Sequence, residues 1–263
     1  MIGIIGGSGF YELEGFNVQN LREILTPFGF PSGSYVIGEL SDREVVFLPR
    51  HGLEHNIPPH KINYRANVWG FRELGVERLV SVGAVGGISH RMVPGKVVLL
   101  DQIIDMTKAR DSTFFDGADG ADSVVHIDFT EPFCPELRQA LWEAGEKTEI
   151  EFEGAGTYIC VNGPRLETRA EIRMFAMLGA DVVGMTAMPE ASLAREAEIC
   201  YAGVSVVTNY AAGIMKKKLT TTEVKDVIRG TTHVLKELLK GALKLIPAER
   251  KCACKEALQE AKM

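Results

Sequence analysis

The sequence predicts a single-domain α/β fold, and three observations carry that expectation. Short apolar runs alternate with stretches of helical periodicity, the pattern of a sheet flanked by helices. The strand-like runs close on glycine-rich or polar residues, and open α/β sheets place their ligands at such strand ends. The 263 residues, 46% hydrophobic and 24% charged, suit one large domain with its own core, and no internal repeat or linker divides them. The domain is expected over residues 1–247, with residues 248–263 a charged terminal helix or tail.

The elements follow in chain order. Met1-Ile-Gly-Ile-Ile5 reads as a buried strand. Gly6-Gly-Ser-Gly9 is a tight turn after it, whose backbone N–H groups and Ser8 hydroxyl suit an anion. Two short strands are expected near 34–37 and 44–48, the second ending in Pro49-Arg50-His51-Gly52. An arginine there suits phosphate; the alternative is an ordinary charged surface loop. His51, His55 and His60 raise a zinc reading, but Pro49, Gly52, Pro58 and Pro59 oppose a helix, and a loop lining a substrate pocket is preferred. Residues 63–74 form an amphipathic helix ended by Gly75. Arg78–Val82 is the next buried strand, and Gly83-Ala-Val-Gly-Gly87 a second glycine-rich strand end. Lys96–Asp101 is another strand.

Residues 105–133 are polar and irregular, with Asp116-Gly and Asp119-Gly turn signals, the profile of a functional or interface loop; His126 lies in it. A helix over 135–145 and a strand over 156–161 lead to Gly163-Pro-Arg-Leu-Glu-Thr-Arg-Ala-Glu171. Pro164 suits a first helical turn, with Leu166, Ala170, Met174, Met177 and Leu178 as its apolar spacing and Gly179 as its end. A strand over 181–186, a helix start at Pro189-Glu190 and a strand over 203–209 follow. Thr220-Thr-Thr-Glu223 is a capping box, opening a long helix that Pro247 ends. Glu167, Thr186 and Asn209 thus lie at element ends, where open α/β sheets place their ligands.

The net charge of −6 argues against nonspecific nucleic-acid binding. No segment reaches the roughly 20 apolar residues of a membrane span, and the first residues lack a basic n-region, so the cytoplasm is expected. Five cysteines are too few for a secreted disulfide scaffold. Cys252-Ala-Cys254 reads either as a pair bridged within the motif or as two free thiols. Metal is disfavoured there because no second cysteine pair supplies further ligands. Cys134 and Cys200 are read as buried apolar residues, with a bridge between them as the alternative.

Together Ile4-Ile-Gly-Gly-Ser-Gly9, Arg50-His-Gly52, Asn63-Tyr-Arg-Ala-Asn67, Glu131-Pro-Phe-Cys-Pro135, Gly163-Pro-Arg165, Met185-Thr186 and Pro189-Glu190 resemble the trimeric purine nucleoside phosphorylases, most closely their methylthioadenosine phosphorylase branch. The resemblance runs to about residue 247. It implies a mixed, partly barrel-like sheet flanked by helices, a homotrimer or dimer of trimers, and reversible phosphorolysis of a purine nucleoside. Phosphate is then a co-substrate, with no metal and no organic cofactor. Ser8, Arg50, His51, Ala84 (through its amide) and Thr186 match the phosphate site, Met185 the residue packed on the ribose, and His126 a residue lent to the neighbouring subunit. Arg50, His51 and Asn209 are the expected catalytic groups.

The base pocket departs from the methylthioadenosine branch. That branch reads the 6-amino group with two aspartates in a T-D-x-D pattern, and this chain has Thr208-Asn-Tyr-Ala211. Asn209 and Glu167 instead match the base-reading pair of the inosine and guanosine enzymes, and Leu166 replaces an aromatic residue on the base. An asparagine amide donates to a 6-oxo group and meets N7, where a carboxylate would repel the oxygen. A glutamate accepts from N1–H. The expected substrates are inosine, guanosine or methylthioinosine, the 5′ group being left open by the Thr220–Val224 region. The alternatives are a methylthioadenosine phosphorylase, which the missing aspartates oppose, and an NAD-dependent dehydrogenase, which the absent third glycine opposes. A purine-binding module without catalysis is the third, and leaves Arg50-His51 without a role.

Overall fold

The fold is described from a computed structural model over residues 1–10, 15–117, 124–149, 151–215 and 221–261. The turn signal at Asp119 and the Thr220 cap fall outside those residues. Among the described residues nine strands form one sheet: β1 (Ile2–Gly6), β2 (Asn17–Arg22), β3 (Tyr35–Leu40), β4 (Arg43–Pro49), β5 (Arg78–Gly87), β6 (Val97–Asp105), β7 (Phe152–Cys160), β8 (Val182–Gly184) and β9 (Cys200–Tyr210). Their order is β2-β3-β4-β1-β5-β8-β7-β6-β9, and a further β5–β9 pairing closes the last five into a ring. The sheet is mixed, with β1–β4, β1–β5, β5–β9, β6–β7 and β7–β8 parallel. The expected partly barrel-like α/β sheet is therefore present, with four strands extending one side of the ring.

Period-two alternation sends successive side chains to opposite faces. Ile4, Phe47, Val82 and Val204 pack with Leu141, Leu239 and Leu243, which lie on α2 (Pro135–Gly145) and α5 (Thr221–Leu245). Ile5, Leu48, Leu79 and Val207 pack with Phe71, Ala191 and Leu193 of α1 (Tyr64–Glu73) and α4 (Ala187–Glu196). Each fully buried leucine, isoleucine or phenylalanine contributes about 1.5–3 kcal/mol. α1 begins where Asn63 accepts a hydrogen bond from the Ala66 amide, the ordinary asparagine cap.

Several boundaries differ from the sequence expectation. β2 was unforeseen because its residues, Asn-Val-Gln-Asn-Leu-Arg, are all exposed; its pairing with β3 holds it. The strand expected over Arg78–Val82 runs on through the glycine-rich Gly83–Gly87, the second half of β5, paired along its length with β9. The helix after Gly163 starts at Arg169 rather than at Pro164. Thr168 accepts from the Glu171 amide and Glu171 returns the bond to the Thr168 backbone, a capping box that fixes the start of α3 (Arg169–Met177). The buried face of α3 is Ile172 and Phe175. Leu166, Met174, Met177 and Leu178, read as the apolar spacing of this helix, are exposed.

Residues 248–261 are neither a long helix nor a loose tail. They carry one short 3-10 turn, Ala253–Glu256, and bury Cys252, Cys254 and Ala261. All five cysteines are buried free thiols, which agrees with the free-thiol readings rather than with the alternative bridges Cys252–Cys254 and Cys134–Cys200. No helix among the described residues is long and apolar enough to cross a membrane.

Candidate active site

The strand ends of β1, β4, β5, β8 and β9 converge on one cleft of about 570 Å³, lined among others by Ser8, Arg50, His51, Ala84, Leu166, Glu167, Met185, Thr186 and Asn209. This volume suits a small-molecule site. The structure thus gathers every sequence-predicted site residue except His126. That side chain is exposed, its backbone N–H donates to the Ala261 carbonyl, and it does not line the cleft of its own chain.

The opening arises from a change of partner along β5. On one side β5 pairs with β1 through Val82 and then with β8 from Gly86. The intervening Gly83, Ala84 and Val85 have no partner strand on that side, and they line the cleft. The turn after β1 closes against them, its Gly7 amide donating to the Val82 carbonyl at 2.9 Å. A Cβ on Gly7 would stand 2.7 Å from that oxygen and 2.8 Å from Arg50 Nη1, so close backbone approach requires glycine here.

Arg50 is fully buried. Its Nε donates to Glu190 Oε2 at 2.7 Å and its Nη2 to Glu190 Oε1 at 3.0 Å and Ser81 Oγ at 2.7 Å. Nη1 donates to the Val82 carbonyl at 3.0 Å. The two-donor edge expected to grip phosphate is therefore spent on Glu190. Of the five guanidinium N–H groups, one on Nη1 is left for the cleft. The pair also cancels the positive charge expected at the site.

His51 is buried, and its Nδ1 lies 2.9 Å from the Ile57 carbonyl. Burial first, and the Arg50 charge second, push its imidazole down to about 4. The ring is neutral at pH 7, with Nδ1–H donating to Ile57 and Nε2 left as an acceptor. In this form the ring presents an acceptor, rather than an N–H donor, to the cleft. His55 stands with its ring 4.7 Å from that of His51 and also lines the cleft, as does the Asn56–Pro59 loop; His60 does not.

At the part of the cleft lined by Glu167 and Asn209, Asn209 Oδ1 accepts from the Thr208 hydroxyl at 2.8 Å and Nδ2 donates to the Tyr210 carbonyl at 2.9 Å. These two bonds fix the amide orientation and leave one N–H and one lone pair. Burial raises the Glu167 carboxyl above its usual range, and the like charge of Glu171 adds to this. Thr186 is the residue before α4, its hydroxyl makes no capping bond, and its amide donates to Tyr158 Oη at 3.1 Å. Met185 packs against Gly163, whose φ is +63° and whose missing Cβ would lie 2.4 Å from the Met185 sulfur. Glycine alone accepts both conditions.

Sequence reasoning quoted Glu190 as part of a motif and gave it no role; Ser81, Tyr201 and Arg110 were missed. Tyr201 Oη donates to Glu190 Oε1 at 2.8 Å. Arg110 joins the irregular segment to Asn162 O at 3.0 Å and Tyr64 Oη at 3.2 Å. A carboxylate within the apolar run Ala-Met-Pro-Glu-Ala-Ser-Leu-Ala was the available signal, because a buried charge demands a partner.

Residues 1–244 match the family described as the phosphorylase superfamily. The chain is 51% identical to a 6-oxopurine nucleoside phosphorylase of Pyrococcus furiosus, covering 99% of this chain and 98% of the relative. It is 52% identical to a probable S-methyl-5′-thioinosine phosphorylase of Thermodesulfovibrio yellowstonii, with 99% and 96% covered. Among solved structures it resembles the methylthioadenosine phosphorylase of Schistosoma mansoni in complex with adenine, with a TM-score of 0.94, 34% identity, and 100% and 98% of the two chains covered. The chain belongs to the phosphorylase superfamily and is an enzyme of the purine nucleoside phosphorylase type.

Proposed function

We propose that the cleft binds a 6-oxopurine nucleoside beside inorganic phosphate and catalyses phosphorolysis to the free base and a pentose 1-phosphate. The observation that carries this reading is that Glu167 and Asn209 line the same cleft as Ser8, Arg50, His51 and Thr186. Asn209 donates its remaining N–H to the purine at O6 or N7, and ionised Glu167 accepts from N1–H. A 6-amino purine would meet a donor with a donor, and sites of this kind discriminate strongly because the wrong base leaves buried polar groups unpaired.

Bond breaking leaves positive charge on the sugar ring and negative charge on the purine. Phosphate dianion beneath the anomeric carbon stabilises the cation and then captures it. Asn209 stabilises the departing base, whose N7 takes a proton from solvent. Arg50 is neutralised by Glu190 and His51 is uncharged. Phosphate is thus held by oriented donors with little net charge, the Nη1 proton of the Glu190-paired Arg50, the Ser8 and Thr186 hydroxyls and the Ala84 amide, while His51 Nε2 accepts from its remaining O–H. Preorganised dipoles of this kind lower the barrier without a covalent enzyme intermediate.

Val224 at the cleft edge supports an apolar 5′ substituent, so methylthioinosine stands beside inosine and guanosine. The exposed Met177, Leu178 and Leu166, together with a His126 that stays out of its own cleft, support assembly into a trimer or a dimer of trimers. Light scattering in solution tests the assembly.

Base release from inosine, guanosine, methylthioinosine, adenosine and methylthioadenosine, with and without phosphate, tests the function. Hypoxanthine or guanine released only with phosphate is the expected result. Preferential release of adenine would overturn the base assignment. Release without phosphate would overturn phosphorolysis.

A further inference from the structure

Away from the cleft, four of the five cysteines meet at one point. Cys134 precedes α2, Cys200 opens β9, and Cys252 and Cys254 flank Ala253 in the C-terminal segment. All four are buried, and their sulfurs lie within 4.8 Å of one another. Cys252 Sγ is 3.4 Å from Cys200 Sγ and 3.7 Å from Cys134 Sγ. The sequence supplied one Cys-x-Cys pair with no partner pair; the fold supplies the other two thiols from residues 66 positions apart in the chain.

Four buried thiols could pack as small apolar side chains, but packing alone does not require three separate elements to deliver their sulfurs to one point. A tetrahedral tetrathiolate site with metal–sulfur bonds of about 2.3 Å has sulfur–sulfur edges of about 3.8 Å, close to the separations seen. The set contains no carboxylate or imidazole, and an all-sulfur tetrahedral set selects zinc among common divalent ions. An iron–sulfur cluster, holding several irons between its thiolates, needs sulfurs farther apart.

We propose that Cys134, Cys200, Cys252 and Cys254 form a structural zinc site that clamps the C-terminal segment onto the starts of α2 and β9. The ion replaces four thiol protons, and the resulting dianionic centre has compensation at hand. Cys134 is the N-cap residue of α2, at the positive end of that helix, and the Arg195 charge acts on Cys254. Through β9 the clamp stands on the same strand as Asn209.

The test uses the full chain, purified under reducing conditions from zinc-supplemented cells, with zinc counted per chain by elemental analysis. One zinc per chain is expected, and cobalt substitution should give the intense thiolate-to-cobalt band of a tetrahedral sulfur site. Cys252→Ser and Cys254→Ser should lose metal, while Cys160→Ser, outside the cluster, should keep it. Removing zinc from the wild-type chain with a strong chelator should lower Tm on the order of 10 °C. If the serine variants do not fold, the wild-type cobalt spectrum still decides. No metal and no cobalt–thiolate band would overturn the proposal, whether alkylation after unfolding then counts five thiols or the mass is two hydrogens lighter for each bridged pair. Metal that survives loss of Cys252 and Cys254 would overturn it as well.

Discussion

Arg50 and Glu190 form a two-bond ion pair, 2.7 and 3.0 Å, in which both side chains are fully buried. Ser81, Tyr201 and the Val82 carbonyl complete its hydrogen bonding. Such a pair costs desolvation that only good geometry and satisfied neighbours offset. Here it holds the guanidinium rigid and delivers one Nη1 proton beside Gly7, at the end of the cleft assigned to phosphate.

Glu190→Ala leaves an uncompensated buried cation and should destabilise the protein by about 3–5 kcal/mol. Glu190→Gln puts an amide N–H group against the guanidinium and should cost less. In both, KM for phosphate should rise more than KM for the nucleoside, because the displaced group faces the end of the cleft proposed to hold phosphate. Urea unfolding and initial rates at varied phosphate check this; equal rises in the two KM values would show that Glu190 positions nothing in particular.

His51 predicts a pH dependence of stability. Its folded-state value, about 4, lies below the unfolded value near 6.5, so the unfolded chain binds the extra proton first. Stability contributed by the neutral ring is complete above pH 6.5 and is lost as pH falls toward 4. Between pH 7 and pH 4.5 the loss should be roughly 2–3 kcal/mol. Urea midpoints of wild type and His51→Asn at fixed protein concentration check it: the variant should lack this part of the acid sensitivity.

The sequence showed much of this architecture for physical reasons that differ by element. Ile4-Ile5 and Val206-Val207 are consecutive apolar residues because both faces of their strands are covered, and such runs are easily read. β2 was invisible because an exposed edge strand needs only a partner backbone, which leaves no apolar signature. The Leu166–Leu178 face was misread because surface apolar residues at helical spacing look like a core face until Thr168 is seen to cap the helix. At the site, residue types were legible at the strand ends, but pairings were not. Nothing local in the sequence says that Arg50 is spent on a glutamate 140 residues away, or that Cys134 and Cys200 meet Cys252 and Cys254.

On the base assignment proposed above, Glu167 should set the acid limb of activity. Its ionised form accepts N1–H, and burial raises its carboxyl above the ordinary range. Protonation therefore starts at a higher pH as the solution is acidified, and kcat/KM for inosine should begin to fall earlier than an exposed carboxylate would allow. Glu167→Gln should lose this limb and lower kcat/KM about 100-fold or more at pH 7.5, since the amide cannot accept in the same way without reorienting. pH–rate profiles of the two proteins check it; an unchanged acid limb in the variant would assign the limb to another group.

Asn209→Asp tests the base assignment most directly. In the wild type the side-chain NH₂ donates to the Tyr210 carbonyl and keeps one N–H for the purine. An aspartate loses both donors, opposes its charge to the Tyr210 carbonyl, and is driven toward any partner that brings a donor. A 6-amino group supplies one; a 6-oxo group adds a second repulsion. The variant should lose about 100-fold or more in kcat/KM for inosine while its adenosine-to-inosine ratio rises, and Asn209→Ala, lacking both attraction and repulsion, should lose inosine turnover without gaining adenosine preference. Competition between the two nucleosides in one reaction, read as the ratio of adenine to hypoxanthine released, separates these outcomes: a ratio that rises equally in the aspartate and alanine variants would show that residue 209 fills space rather than reads the 6-position.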